Sequence, residues 1–262
     1  MLVREFLEST VERRPDAVAL VDDGGRWTYA DLEAAANRVA TALIEAGIGR
    51  GDRVAVQLPN CVETFVADFA ALKAGAVFVN LAPGLRPAKL AGILADSGAK
   101  ALFSQLRLPG GGPFDPVVDD LGQLELIVGP REDGLPADRG PKTWRGFDEI
   151  LATASDTRPP VVNIDRDLAC LVYTSGTTGA PRGIMADHDA VSFASGSIIR
   201  YLGLHVGDVI LSALPPSFDY GLYQVLMSTR VGGMAVLETS FAFPGRTLQK
   251  VFDEGVTGLP VV

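Results

Sequence analysis

The sequence predicts a layered α/β fold whose sheets are largely parallel. Short apolar runs of strand length alternate with amphipathic segments of helical length through most of the chain. Connections of helical size join parallel strands, because a strand needs a crossover of that length to return to the same sheet edge. Hydrophobic residues make up 47% of the 262 residues and charged residues 21%, which is typical of a globular protein with a large core.

Individual elements follow from the apolar runs and from helix start and stop signals. Thr28 and Asp31 predict a capping box at the start of a helix. Gly75 and Gly98 predict helix ends, and Pro87 predicts the first residue of a helix. The predicted strands are 17–21, 54–58, 76–79, 101–103, 124–128, 168–173, 209–214 and 234–238.

Composition divides the chain into two predicted α/β subdomains. The first covers 1–166 and ends in a loop-rich excursion at 104–166, where proline and glycine interrupt the pattern. The second covers 167–262 and begins with the loop discussed below. Its apolar end at 259–262 predicts that the fold is truncated there.

Bulk chemistry excludes several classes of function. The net charge of −9 argues against a nucleic-acid-binding surface, which normally needs a basic face. Cys61 and Cys170 lie in apolar contexts and are expected to be buried free thiols. No apolar signal core and no apolar run of membrane-spanning length is present, so a cytoplasmic location is expected.

The apolar run at 168–173 is followed by a stretch rich in glycine and hydroxyl side chains. Glycines let successive backbone N–H groups converge on one point, which suits a phosphate anion. Hydroxyls add hydrogen-bond donors, and Arg182 adds a fixed positive charge with a planar set of donors. The stretch therefore predicts a polyphosphate-binding loop. Its predicted binding residues are Thr174, Ser175, Gly176, Thr177, Thr178, Gly179, Arg182 and Gly183.

Glycine and threonine in this order also suit an ordinary turn between a strand and a helix. No Lys-Ser or Lys-Thr follows the glycines, so the stretch is not the P-loop of common nucleotide hydrolases. The string 171–183 as a whole closely resembles the phosphate-binding signature of the AMP-forming adenylating enzymes. That family comprises acyl-CoA synthetases, amino-acid adenylation domains and luciferases, and it usually has lysine at the position of Arg182.

Three further segments resemble motifs of the same family, in the family's order. Residues 27–32 and 72–83 are similar to two of its scaffold motifs. Residues 214–221 lie where the family places the motif that lines the carboxylic-acid pocket. The resemblance therefore covers nearly the whole chain and implies the N-terminal portion of an adenylate-forming enzyme. The substrate-binding residues that it implies are Phe218, Asp219, Tyr220 and Gly221.

Two interpretations of the Phe218–Asp219 pair stay open. In amino-acid adenylation domains, a Phe-Asp pair at this place binds the substrate amino group through its carboxylate. Alternatively, Asp219 is the N-cap of a helix that begins at Tyr220. The following Tyr-Gly-Leu resembles acyl-CoA ligases, which favours that subfamily.

The resemblance implies that a carboxylate attacks the α-phosphate of ATP and that Mg²⁺ bridges the phosphates. It also implies that the acyl group then passes to a thiol. This acceptor is either coenzyme A or the phosphopantetheine of an acyl or peptidyl carrier protein. Arg182 would screen the phosphate charge and Thr178 would ligate the metal. His188, just beyond the loop, is expected to make a structural hydrogen bond rather than act as a base. The family's main catalytic lysine and its adenine- and ribose-binding motifs do not occur, so this chain alone is expected to be inactive.

Two other classes of function stay open. One is a kinase or another nucleotide hydrolase with an atypical loop, which would transfer the γ-phosphate rather than release pyrophosphate. The other is a non-catalytic nucleotide-binding or partner module, such as one component of a split enzyme.

Overall fold

A computed structural model describes residues 1–106, 118, 120–130, 135, 142–174 and 182–262. Within these residues, no helix has both the length and the apolar character needed to cross a membrane. The strands are β1 (Val18–Asp22), β2 (Gly25–Thr28), β3 (Arg53–Gln57), β4 (Val77–Asn80), β5 (Ala99–Ser104), β6 (Leu126–Gly129), β7 (Thr143–Gly146), β8 (Leu168–Thr174), β9 (Arg182–Asp187), β10 (Val209–Ser212) and β11 (Met234–Leu237). The helices are α1 (Glu5–Arg13), α2 (Tyr29–Glu45), α3 (Val62–Ala74), α4 (Pro87–Ser97), α5 (Phe147–Thr153), α6 (His188–Leu202), α7 (Asp219–Val231) and α8 (Pro244–Asp253).

The strands form two sheets, and most neighbouring pairs are parallel. The large sheet has the order β7-β6-β5-β3-β4-β8-β9, and of these pairs β8–β9 is antiparallel. The small sheet has the order β10-β11-β1-β2, and of these pairs β1–β2 is antiparallel. These pairings confirm the predicted layered α/β fold with largely parallel sheets.

The two sheets do not separate at residue 167. Strand β1 from the first predicted subdomain pairs with β11, and β8 from the second pairs with β4. The predicted loop-rich region 104–166 also supplies β6 and β7 to the large sheet. The division into 1–166 and 167–262 therefore does not coincide with the division into sheets, and as a division into subdomains it stays a prediction.

The local start and stop signals are confirmed by the geometry. The Thr28 hydroxyl accepts the N–H of Asp31 at 3.1 Å, and the Asp31 carboxylate accepts the N–H of Thr28 at 3.0 Å. Gly75 ends α3 at a φ of +87°, in the left-handed region that favours glycine. Pro87 is the first residue of α4. Each signal depends only on residues a few positions apart, which is why the sequence predicts it.

A cluster of buried charges joins the first three helices. The fully buried ammonium of Lys73 lies 2.9 Å from Oε1 of Glu8 and 2.9 Å from Oε1 of Glu33. Arg4, also fully buried, donates to Glu8 at 2.8 Å and to the carbonyl of Pro159 at 2.8 Å. Burial alone would raise the pKa of Glu8, but Lys73 and Arg4 outweigh it and hold this pKa below its ordinary value. The cluster fixes α1 and the segment near residue 159 to the core.

The substitution Lys73→Met removes the ammonium between Glu8 and Glu33 and leaves two buried carboxylates with fewer partners. We expect the free energy of unfolding to fall by roughly 3 kcal/mol, because breaking a buried ion pair leaves an uncompensated charge in the interior. Urea denaturation measures the loss. The control Lys100→Met removes a half-exposed pair with Asp52 and should cost less than about 1 kcal/mol. Equal losses in the two variants would contradict this account.

Candidate functional site

The predicted phosphate-binding loop begins where β8 ends. Thr174 is the last residue of β8 and lies opposite Arg182, the first residue of β9, in an antiparallel ladder. The connection therefore joins two antiparallel strands, and the expectation of an ordinary strand-to-helix turn is wrong. The pairing of β8 with β9 could not be predicted from the sequence, because the residues of the loop separate the two strands. Five predicted binding residues, among them the predicted metal ligand Thr178, lie outside the described residues: Ser175, Gly176, Thr177, Thr178 and Gly179.

The side chain of Arg182 is exposed, and within the described part of the chain it has no hydrogen bond or ion pair. An arginine without a carboxylate partner keeps all of its donors available for an anion. Gly183 lies opposite Tyr173, and a Cβ atom at position 183 would come 3.0 Å from the Tyr173 ring. The Tyr173 hydroxyl donates to Asp96 at 2.5 Å, which holds the ring in that place. The absence of a side chain at Gly183 thus leaves room for the ring of Tyr173.

The end of β8 separates two pockets on the two faces of the large sheet. Successive side chains of a strand point to opposite faces. Cys170 and Val172 pack with one hydrophobic cluster, and Leu171 and Tyr173 pack with the other. Thr174 lines a pocket on each side.

The first pocket, here called the α7 pocket, has a volume of about 500 Å³. It brings together three residues that the sequence predicts as site residues, namely Thr174, Phe218 and Asp219. Its other walls are mostly apolar and include Val172, Ile184 and Leu222. Arg182 is not among the residues that line it. The pocket therefore combines a predicted phosphate-loop residue with a space that suits an apolar organic group.

Asp219 is exposed and is the first residue of α7, while Phe218 occupies the N-cap position. The hypothesis that Asp219 caps a helix beginning at Tyr220 is therefore wrong. Its carboxylate accepts only the N–H of Tyr220, at 2.8 Å, and has no ion pair in the described part of the chain. A carboxylate in the first turn is favourable beside the positive end of the helix dipole.

The structure places the other two predicted substrate residues differently. Tyr220 faces a neighbouring groove of about 670 Å³ between α6 and α7, which shares only Asp219 and Tyr223 with the α7 pocket. Gly221 is buried, and a Cβ atom there would come 2.4 Å from the carbonyl oxygen of Pro215. Neither residue lines the α7 pocket. The close backbone approach at Gly221 instead fixes where α7 starts, and so fixes Phe218 and Asp219.

The second pocket, here called the α4 pocket, has a volume of about 210 Å³ and lies on the opposite face of the sheet. Asn80, Lys89, Tyr173, Thr174 and Ser217 contribute to its walls. Sequence analysis missed Lys89, because a lone surface lysine carries no local signal of a site. It also did not single out Ser217, although this residue lies within the motif at 214–221 and lines both pockets.

His188 is fully buried and holds the N-terminal segment against α6. Its Nδ1 accepts the N–H of Val3 at 3.1 Å, so the predicted structural hydrogen bond is confirmed. Burial lowers the pKa of His188 to about 4, despite opposing contributions from Asp167 and Asp187. The imidazole is therefore neutral at physiological pH, and His188 is not among the residues that line either pocket.

Burial holds three titratable groups in their neutral forms. Burial raises the pKa of Cys170 and of Cys61 to about 12, and both are free thiols, as predicted, although Cys170 is buried and Cys61 only half-buried. Burial also raises the pKa of Asp68 to about 8, although a hydrogen bond from Asn80 at 2.9 Å opposes it. None of these three groups supplies a charge or a nucleophile to the site at neutral pH.

Comparisons with known proteins point to one enzyme family. A family model described as AMP-binding enzyme matches residues 7–262. The medium-chain fatty-acid–CoA ligase of Escherichia coli strain K12 is 32% identical over 239 residues, which cover 89% of this chain. The phosphinothricin tripeptide synthetase PhsC of Streptomyces viridochromogenes is 32% identical over 255 residues, which cover 95% of this chain. The structure of VinN in complex with L-aspartate superposes with a TM-score of 0.80 at 26% identity and covers all of this chain.

The matched relatives are longer than this chain. The matched region spans 41% of the E. coli ligase and 21% of the tripeptide synthetase. It spans 67% of the VinN chain.

The substitution Gly221→Ala tests whether the backbone approach fixes the start of α7. The added methyl group meets backbone atoms of Pro215 and Leu214, so we expect the free energy of unfolding to fall by about 1–3 kcal/mol. Urea denaturation provides the measurement. In the control Gly245→Ala the methyl group meets nothing within 4 Å, so this variant should be neutral or slightly stabilised. An unchanged Gly221→Ala variant would show that the helix start adapts freely.

Proposed function

The chain belongs to the AMP-binding enzyme family, and we propose that it serves the ATP-dependent activation of a carboxylic acid. The acid becomes an acyl-adenylate, pyrophosphate is released, and the acyl group then passes to a thiol. We propose the acyl-CoA ligase type, with coenzyme A as the acceptor. One observation carries the proposal: Thr174, at the start of the predicted phosphate loop, shares the α7 pocket with Phe218 and Asp219.

The proposed reaction determines which groups the site must supply. A carboxylate oxygen of the acid attacks the α-phosphorus of ATP, and the bond from that phosphorus to the bridging oxygen of the β-phosphate breaks. The electron pair of that bond leaves with pyrophosphate. Because attacking and leaving groups are both anionic, alignment and charge neutralisation dominate catalysis. The guanidinium of Arg182 and the hydroxyl of Thr174 are donors of the kind that phosphate oxygens accept.

Mg²⁺ would supply positive charge to the phosphate oxygens of ATP in the proposed reaction. Its predicted ligand, Thr178, lies outside the described residues. Among the residues that the structure describes, no cluster of three or more carboxylate, imidazole or thiol groups is arranged to hold a metal ion. We assign part of the phosphate neutralisation to the exposed guanidinium of Arg182.

The acyl-CoA ligase type is supported by the surroundings of Asp219. A buried carboxylate would need a cation, and a substrate ammonium group could supply it. The carboxylate of Asp219 is exposed to solvent, so it does not need a cation as a partner. Apolar walls formed by Val172, Ile184 and Leu222 suit an acyl or aryl group. One relative, the E. coli protein, is named as a medium-chain fatty-acid–CoA ligase.

An amino-acid adenylation domain is the second candidate, favoured by one observation. Asp219 lines the α7 pocket, and its carboxylate has no ion pair within the described residues. An ammonium group of an amino-acid substrate would find an unused carboxylate there. The complex of VinN with L-aspartate agrees with this candidate, because its ligand is an amino acid. In this case the acceptor would be the phosphopantetheine of a carrier protein.

Exchange of labelled pyrophosphate into ATP tests the function directly, across fatty, aryl and amino acids, with the full gene product. We expect exchange that depends on a fatty or aryl acid. In that case Asp219→Asn should change the KM for the acid by less than about twofold, because an exposed carboxylate pairs weakly. Exchange that depends on amino acids and falls at least tenfold in Asp219→Asn would support the second candidate. No exchange with any acid would refute adenylation and favour a binding module.

The substitution Arg182→Ala tests the phosphate-binding role in the same assay. We expect the KM for ATP to rise, or the exchange rate to fall, by about tenfold, because a charge-assisted hydrogen bond to phosphate is lost. Arg182→Lys keeps the charge and should recover part of the loss. Arg200→Ala, which removes an exposed charge at the end of α6, serves as the matched control. Unchanged ATP dependence in an active Arg182→Ala enzyme would count against the role.

A further inference from the structure

The α4 pocket lies at the carboxyl ends of two neighbouring parallel strands. Asn80 ends β4, Thr174 ends β8, and Lys89 lies in the first turn of α4, which follows β4 along the chain. Ligands of α/β proteins commonly bind in the crevice outside the carboxyl ends of parallel strands. The pocket therefore has the position of a ligand site and adjoins the predicted phosphate loop.

Among the described residues, Lys89 is the only charged one that lines this pocket. The other four lysines have partners. Lys73 and Lys250 each bind two carboxylates, Lys100 binds one, and Lys142 donates to backbone carbonyls. Lys89 has no side-chain hydrogen bond or ion pair within the part of the chain that the structure describes. The side chain of Lys89 is exposed, and its unpaired ammonium is available to an anion that enters the pocket.

Among the residues that the structure describes, no carboxylate pairs with this ammonium. The nearby carboxylate of Asp96 accepts the hydroxyl of Tyr173, and Asp96 is not among the residues that line the pocket. The remaining polar walls are the amide of Asn80 and the hydroxyls of Tyr173, Thr174 and Ser217, which carry no charge that would repel an anion. The Tyr173 hydroxyl already donates to Asp96 and the Asn80 amide donates to Asp68, so an anion in the pocket would meet the ammonium of Lys89 and the hydroxyls of Thr174 and Ser217.

The two pockets that meet at Thr174 have opposite electrostatic character. Of the described residues, Asp219 is the charged one in the α7 pocket, whereas Lys89 is the charged one in the α4 pocket. The pockets lie on opposite faces of the sheet, and Tyr173, Thr174 and Ser217 line both of them. Displacement at phosphorus needs the attacking and leaving oxygens roughly in line.

We propose that the α4 pocket receives the leaving pyrophosphate and that the ammonium of Lys89 binds one of its phosphate groups. This assignment rests on the proposed adenylation reaction. The acid in the α7 pocket attacks the α-phosphorus from one side of Thr174. The bond to the bridging oxygen breaks on the other side, and the negative charge that develops on pyrophosphate is neutralised by Lys89. Charge placed where the leaving group forms stabilises the transition state more than the bound ATP.

Titration with inorganic pyrophosphate, followed by isothermal calorimetry on the full gene product, tests this assignment. We expect Lys89→Ala to weaken pyrophosphate binding about tenfold, and Lys89→Arg to recover most of the affinity. Arg86→Ala is the matched control, because Arg86 lies three residues earlier, is exposed, and does not line the pocket. It should change the affinity by less than about twofold, since exposed charges outside the pocket are screened.

A second readout separates binding of pyrophosphate from a general effect of charge. In the exchange assay, Lys89→Ala should raise the KM for pyrophosphate about tenfold and leave the KM for the acid unchanged. Equal pyrophosphate affinities of Lys89→Ala and Arg86→Ala would overturn the assignment, as would no pyrophosphate binding by the unsubstituted protein. Weakened binding of coenzyme A with unchanged binding of pyrophosphate would also overturn it. Normal exchange with an unchanged KM for pyrophosphate refutes only the role of Lys89, whereas the absence of exchange refutes adenylation itself.

Discussion

The pairing of β8 on both of its edges is the constraint on which the site depends. Strand β4 pairs with it in parallel on one edge, and β9 pairs antiparallel on the other. This double pairing holds Thr174 at the carboxyl end of the strand, where both faces of the sheet open into pockets. The alternation of side chains along β8 then gives each pocket its own lining, because odd and even residues face different hydrophobic clusters.

Contacts between distant parts of the chain keep this strand end in place. The buried cluster around Lys73 joins α1, α2 and α3, and Arg4 within it also binds the segment that precedes β8. His188 is the first residue of α6, just after β9, and its hydrogen bond from Val3 holds the N-terminal segment there. Gly221 lets the backbone of α7 approach Pro215 closely, which positions Phe218 and Asp219. The mostly apolar α7 pocket is thus built by rigid elements rather than by one loop.

Much of the fold follows from short-range patterns. Apolar runs and helix signals located most strands and helices, and the capping box of Thr28 and Asp31 has the expected hydrogen bonds. Strand β9 escaped prediction, because its residues are mostly exposed and lack the alternation of a half-buried strand. Of the two interpretations of Asp219, the helix cap is wrong because Phe218, with no capping side chain, takes the N-cap position. Composition predicts a division at residue 167, whereas β1 pairs with β11 and β4 pairs with β8 across this division.

The sequence by itself determined the fold class, the family and the residue types of the phosphate loop, because these depend on neighbours within a few positions of the chain. Only the tertiary structure decided that Thr174 lines two pockets, that Asp219 is exposed, and that Lys89 lines the α4 pocket together with Thr174. Lys89 and Thr174 are far apart in sequence and meet only because β4 and β8 are neighbours in the sheet. Long-range pairing carries no local signature, so these properties appear only when the chain is folded.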